Sequence, residues 1–435
     1  GLWGKLTGVS VSVVAVFVIF GAILNAGEAG QGFMNIAIAA AGRLKGGAAK
    51  VSVLSSALFG SISGSASANV ASTGMVTLPS MRQLGYPKRI AAAVEAVAST
   101  GGQIMPPLMG AGAFVMVELT GIPYTQIILA AALPAFLYFA TVWIGVNGYA
   151  DRHDLKPYRE DMRPAFRTVI ATSLFFAVPF AALLVVMFSG YTPQFAAACA
   201  IIIAALLLLT GTDLAFNLIR TRERLMQAAI TAGRQISMIA SIILCASIIV
   251  GILGMTGLGV KITSGILAFS GDSLWMALML TALACIILGM EVPTTAAYVI
   301  CVSVAGPALI DMGVAPILVH LFIFWYALLS TITPPVCGGV FIAASMVEEN
   351  WLPVAGSAMS LGLGLYVIPL AIIRHPELTG LADAPIAALL TALQIGVGLA
   401  LLGRGLTAPH VLPVRAALVA AGMLVIFLRV ELFAA

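Results

Sequence analysis

Two proline pairs mark the residues whose types and spacing could do chemistry. They lie in Gly101-Gly-Gln-Ile-Met-Pro-Pro107 and Ser330-Thr-Ile-Thr-Pro-Pro335. A proline removes a backbone donor and clashes with the carbonyl four residues earlier. Carbonyls around residues 102–105 and 330–333 are therefore expected to lose their helical partners. Pro79 and Pro307 each stand 27 residues before the first proline of a pair. Upstream of each lies a stretch rich in small and hydroxylated residues: Gly-Ser-Ile-Ser-Gly-Ser-Ala-Ser-Ala-Asn over 60–69 and Gly-Met-Glu-Val-Pro-Thr-Thr-Ala-Ala-Tyr over 289–298. Bends of this kind expose helix N-termini, which attract anions, and free carbonyl and hydroxyl oxygens, which are hard ligands suited to Na⁺. The symmetry of the two copies then implies two related oxygen-lined cation sites, with a substrate site between them.

Other chemistry finds little support. The ionisable residues inside apolar runs are Glu95, Glu118, Glu291 and Lys261. A charge in such a run is a functional candidate by default. Glu95 precedes the first break and Glu291 sits in the second tip, so both are candidates for lining a substrate cavity. Glu118 reads as reaching a membrane interface, Lys261 as snorkelling from an interfacial segment, and His320 as a hydrogen-bonded helix residue. The five cysteines are scattered without a CxxC and the four histidines lie far apart, so neither a disulfide frame nor a metal cluster is indicated. The sequence has no G-x-x-x-x-G-K-[ST] for ATP hydrolysis. No convergent set suggests an enzyme, and no organic cofactor is expected.

The elements that must position these residues are membrane helices. Of 435 residues, 61% are hydrophobic and 9% charged, against about 25% charged in soluble domains, and mean hydropathy is +1.09. That composition excludes a soluble enzyme. The net charge of +4 does not signal nucleic acid, because the basic residues form short clusters between apolar runs, as membrane orientation requires. Apolar runs long enough for spans cover 9–24, 126–146, 169–188, 194–210, 236–253, 352–372, 384–402 and 411–428. The chain opens at Gly1, and its first apolar stretch reads as a span, not a signal peptide. Charged loops are expected at 151–167 and 220–234.

A shift of 228 residues places Ala68 on Ala296, Pro79 on Pro307, Gly85 on Gly313, Ile104 on Ile332, Pro106 on Pro334 and Gly110 on Gly338 without a gap. This internal repeat organises the chain. Arg43, Lys45 and Lys50 precede the first small-residue stretch, and Arg82, Lys88 and Arg89 follow it; Asp272 and Asp311 flank the second. Both flanks of the first copy should face the cytoplasm, and those of the second the opposite side. The predicted fold is an all-α polytopic membrane protein with inverted-topology repeats, two re-entrant helical hairpins and two broken helices. The predicted units are a first repeat over 1–150 (hairpin about 46–80, broken helix 90–119) and a connecting region over 151–235 with two transmembrane helices. A second repeat follows over 236–374 (hairpin about 274–310, broken helix 316–346), then C-terminal helices over 375–435.

The segments 59–69, 94–107 and 288–298 resemble the large membrane subunit of tripartite ATP-independent periplasmic (TRAP) transporters, most closely the fused permeases that work with TAXI-type binding proteins. The resemblance covers roughly residues 1–374 and implies an elevator-type, sodium-coupled importer of a small organic acid in a bacterial or archaeal inner membrane. It implies a periplasmic substrate-binding protein as partner. It also implies a small four-helix membrane subunit, either a separate polypeptide or a removed N-terminal region. Carried over residue by residue, Ser63, Ser65, Asn69, Gly102 and Met105 would form one Na⁺ site and Thr294, Thr295, Thr331 and Thr333 the other. Ser67, Glu95, Pro106, Glu291, Pro293, Tyr298 and Pro334 are the candidates for substrate contact. The alternatives are a divalent-anion/sodium symporter that needs no binding protein, and an ion channel. The internal repeat favours alternating access over a channel.

Overall fold

The structure is a computed structural model that describes residues 4–211, 215–290 and 292–429. Among these, all regular secondary structure is helical. The first span is continuous over Leu6–Ala26, as α1 (Lys5–Val9), a π turn and α2 (Ala15–Ala26). α3 (Ala29–Ala41) leads to a tight hairpin of α4 (Gly47–Ser63) and α5 (Ala66–Gln83). The first broken helix follows as α6 (Lys88–Gly101) and α7 (Gly110–Thr120). Next come α8 (Tyr124–His153), α9 (Phe166–Phe188), α10 (Pro193–Leu207), α11 (Leu218–Thr256) and α12 (Leu258–Ser270). A second hairpin, α13 (Leu274–Leu288) and α14 (Thr294–Asp311), precedes the second broken helix, α15 (Pro316–Leu329) and α16 (Gly338–Met346). The chain continues through α17 (Trp351–Leu361), α18 (Leu363–Arg374), α19 (Pro385–Thr407) and α20 (Leu412–Phe427). Among the described residues, seven helices are long and apolar enough to cross a membrane.

The repeat is visible in the backbone. α5 and α14, α6 and α15, and α7 and α16 start at the same 228-residue offset as the sequence match. Gly85 and Gly313 both take left-handed φ, and both proline pairs are cis. The halves also exchange pieces: α7 packs on α14 and α15, and α16 packs on α5 and α6. α6 and α15 therefore form the centre, and nearly every residue of 90–101 and 318–329 is buried, the polar Glu95, Ser99, Thr100 and His320 included. α9, α10 and α11 instead leave large apolar side chains exposed, among them Phe166, Phe195 and Met238.

The first hairpin turns in two residues. Gly64 caps α4 at φ +61°, a left-handed position suited to glycine. Ser65 caps α5, its hydroxyl accepting from the Ala68 N–H at 3.3 Å. Both feet of this hairpin reach one end of the molecule. The segment 154–163 ties them together: Tyr158 N–H donates to Gly42 O at 2.9 Å, and the Tyr86 hydroxyl donates to Lys156 O at 2.8 Å. Burial raises both phenols above their ordinary range, so they remain neutral.

One expectation is corrected. Residues 220–234 are not a loop but the first turns of α11, which runs unbroken for 39 residues, about 58 Å at 1.5 Å per residue. The stretch holds good helix formers and no proline, and the Asn217 side chain caps it through the Arg220 N–H at 3.0 Å. Arg224 pairs with Glu28 at 2.5 Å, fastening this helix to the turn between α2 and α3.

Candidate functional site

The first tip and the first break meet at two glycine contacts. A Cβ on Gly60 would stand 2.4 Å from Gly102 Cα, and one on Gly64 would stand 2.8 Å from Gly110 Cα. Only residues without side chains permit that approach. In the second half, the Gly339 N–H donates to Thr331 O at 3.1 Å, closing the break onto itself. The Thr331 hydroxyl lies 2.9 Å from that of Thr100, so the two breaks touch at the centre.

Between the tips lies one cavity of about 340 Å³. Ser63, Ser65 and Ser67 of the first tip line it, with Pro293, Thr294 and Thr295 of the second and Thr331 of the second break. The N-termini of α5, α7, α14 and α16 all border it. Those of α7, α14 and α16 carry no side-chain cap, and apart from the Gly339 N–H, which Thr331 O takes, their first N–H groups are available to a ligand. Four converging helix ends make the cavity electropositive. No charged side chain lines it among the described residues. The arrangement can hold an anion by backbone donors and hydroxyls, with an apolar wall on the other side formed by Phe17, Phe114, Met238, Ile239 and Ile242.

Other candidates lie behind this lining. Asn69 is fully buried, and its amide donates to Ser56 O at 3.0 Å and Ser99 O at 3.2 Å. Gly102 lies under the first tip against Gly60, and the Met105 N–H donates to Gly102 O at 3.3 Å. Thr333 faces away, its hydroxyl 2.6 Å from the Tyr366 hydroxyl. Tyr298 is buried against α15, its hydroxyl 2.6 Å from His320 Nδ1. Pro106 and Pro334 shape the breaks without lining the cavity. Glu291 lies outside the described residues.

Glu95 is also set apart from the cavity. Its carboxylate, fully buried, accepts hydrogen bonds from Ser52 (2.8 Å) and Ser99 (3.2 Å) and from Thr73 and Thr77. Hydrogen bonds to a charged group contribute about 1.5–3 kcal/mol each. Such bonds recover part of the cost of burying the group away from water.

Three contributors escaped the sequence reading. Gln103 lines the cavity and falls on Thr331 under the 228-residue shift, a signal that could have found it. Gln235 reaches it from α11, at the one position between the expected charged loop and the expected span. Tyr124 steadies the first break by donating to Pro107 O at 2.5 Å or Leu108 O at 3.0 Å.

Residues 2–385 match the family model described as tripartite ATP-independent periplasmic transporter, DctM component. The chain is similar to the uncharacterized protein YgiK of Salmonella typhimurium, 24% identical over 383 residues, covering 86% of this chain and 84% of that protein. It is similar to the C4-dicarboxylate TRAP transporter large permease protein DctM of Pseudomonas aeruginosa, 25% identical over 340 residues, 77% of this chain and 76% of the relative. It also resembles the isethionate TRAP transporter permease protein DctMQ of Oleidesulfovibrio alaskensis, 24% identical over 347 residues, 78% of this chain and 53% of the longer relative. Helix breakers in constant register, the paired hairpins and this family match lead to one conclusion: the chain belongs to the DctM component of the tripartite ATP-independent periplasmic transporters, integral inner-membrane permeases and not enzymes.

Proposed function

We propose that this permease imports a small organic anion, received from a periplasmic substrate-binding protein of the TAXI type and driven by the sodium gradient. The carrying observation is the single cavity where two hairpin tips and two proline-broken helices bring four helix N-termini together. Relatives named for C4-dicarboxylate and isethionate transport support an anionic substrate. The substrate's acid group sits against Ser67, Pro293 and the first turns of α5 and α14. One Na⁺ is held by oxygens of Ser63, Ser65, Asn69, Gly102 and Met105, the other by Thr294, Thr295, Thr331 and the carbonyl of Thr333. The repeats run in opposite directions through the bilayer, the hairpins are re-entrant, and the hairpin-bearing core moves as an elevator. A small four-helix membrane subunit completes the complex.

The test is uptake into proteoliposomes holding the complete membrane complex, with the binding protein outside. Replacing Na⁺ by choline is expected to abolish accumulation. Uptake unchanged in choline would refute the sodium sites, and uptake without any soluble partner would refute dependence on a binding protein.

A further inference from the structure

We infer that Glu95 is a positioning residue for the first hairpin tip, acting on the cavity through a relay of hydrogen bonds without touching a ligand. The relay can be followed atom by atom. The Glu95 carboxylate gathers hydroxyls from three helices: Ser52 on α4, Thr73 and Thr77 on α5, and Ser99 on α6 itself. The Ser56 hydroxyl stands 3.5 Å from the same carboxylate. The main-chain oxygens of Ser56 and Ser99 accept the two N–H groups of the Asn69 amide. The Asn69 backbone N–H in turn donates to Ser65 O at 2.9 Å. Ser65 is the N-cap of α5 and lines the cavity. A buried carboxylate thus fixes the register of both hairpin arms on α6, and that register places the tip.

The second repeat acts as an internal control. Under the 228-residue shift, Glu95 falls on Ile323, Thr73 on Cys301, Thr77 on Ala305, Ser99 on Ala327 and Asn69 on Ala297. The same hairpin and broken helix form there without any of this polar set. The fold therefore does not require the cluster. A buried carboxylate with its ring of hydroxyls costs desolvation that an apolar core avoids, so its presence in one copy alone assigns it to something only that tip does. We read this as holding the first tip rigid.

The experiment uses matched probes. Ser67→Cys and Thr295→Cys, equivalent under the shift, are placed singly in the full membrane complex after replacement of the five native cysteines. Labelling by a water-soluble maleimide is then timed with and without Glu95→Gln, an isostere without the charge. Glu95→Gln is expected to speed labelling at position 67 about tenfold, as when a charge-assisted hydrogen bond is lost, and to leave position 295 unchanged. Equal rates at 67 with and without Glu95→Gln, or the same rise at both positions, would overturn the inference, the second outcome marking general loosening. If Glu95→Gln does not fold, Thr77→Val keeps the carboxylate while removing one donor, and a smaller rise confined to position 67 is expected. A flat response there overturns the inference equally. A second arm rests on the sodium reading: Glu95→Gln should raise the Na⁺ concentration for half-maximal uptake. An unmutated complex that shows no Na⁺ dependence refutes that reading alone, and the labelling result still decides the role of Glu95.

Discussion

At the scale of single residues, the site depends on what glycine omits and on where hydroxyls point. Gly60→Ala would force a methyl to within 2.4 Å of Gly102 Cα. Backbone cannot rotate away as a side-chain end can, so the tip must lift from the break. We expect destabilisation of about 1–3 kcal/mol, the usual cost of overpacking, read as a lower melting temperature in detergent, together with loss of uptake. A variant that melts and transports like the unmutated protein would show that the tip–break contact is dispensable. Thr331→Val and Thr333→Val make a contrasting pair. Thr331 lines the cavity, whereas the Thr333 hydroxyl is bonded to Tyr366. Half-maximal Na⁺ should rise several-fold for Thr331→Val, by the equivalent of about 1 kcal/mol for one hydroxyl contact, and stay near its original value for Thr333→Val. Sequence spacing treated the two threonines alike, because both sit beside the second proline pair. Their difference is one of direction around a helix end, which spacing alone does not carry.

At the scale of elements, the sequence was most legible where chain breakers act locally. Gly64 and the two proline pairs act through their own φ values and missing donors, and α4, α6 and α15 stop beside them at Ser63, Gly101 and Leu329. The charged stretch 220–234 misled because charge was read as loop, although arginine, glutamate and leucine are good helix formers and nothing there stops a helix. The ion pair between Arg224 and Glu28 joins elements 196 residues apart and leaves no local mark. Both side chains are mostly buried, at 16% and 25% exposed. Glu28→Gln is expected to lower stability by about 1 kcal/mol, seen as a melting shift of a few degrees. Lys45→Ala, which breaks a pair with Asp151 exposed on both sides, should not move the melting temperature.

At the scale of the whole molecule, the elevator reading divides the chain into a core carrying both tips and a wall formed by α2 and α11, and cysteine cross-links test that division. Thr100 and Thr331, with hydroxyls 2.9 Å apart, both lie in the core. A double cysteine variant at these positions should take up substrate at the same rate oxidised as reduced. A Cβ on Gly21 of α2 would lie 2.8 Å from Ile62 Cγ2 in the first tip, within reach of a disulfide. Gly21→Cys with Ile62→Cys should arrest uptake until a reductant is added. Free uptake in the oxidised second variant would mean that wall and tip do not move apart. The all-helical membrane class, the repeat and the position of each break could be read from composition and from the order of apolar and helix-breaking residues, since these are local or additive properties of the chain. Which hydroxyls reach the cavity, why Glu95 is enclosed by serines and threonines, and how Gln235 joins the site were settled only by packing. Each depends on how helices far apart in sequence rotate against one another, and that rotation is a property of the assembled core rather than of any segment.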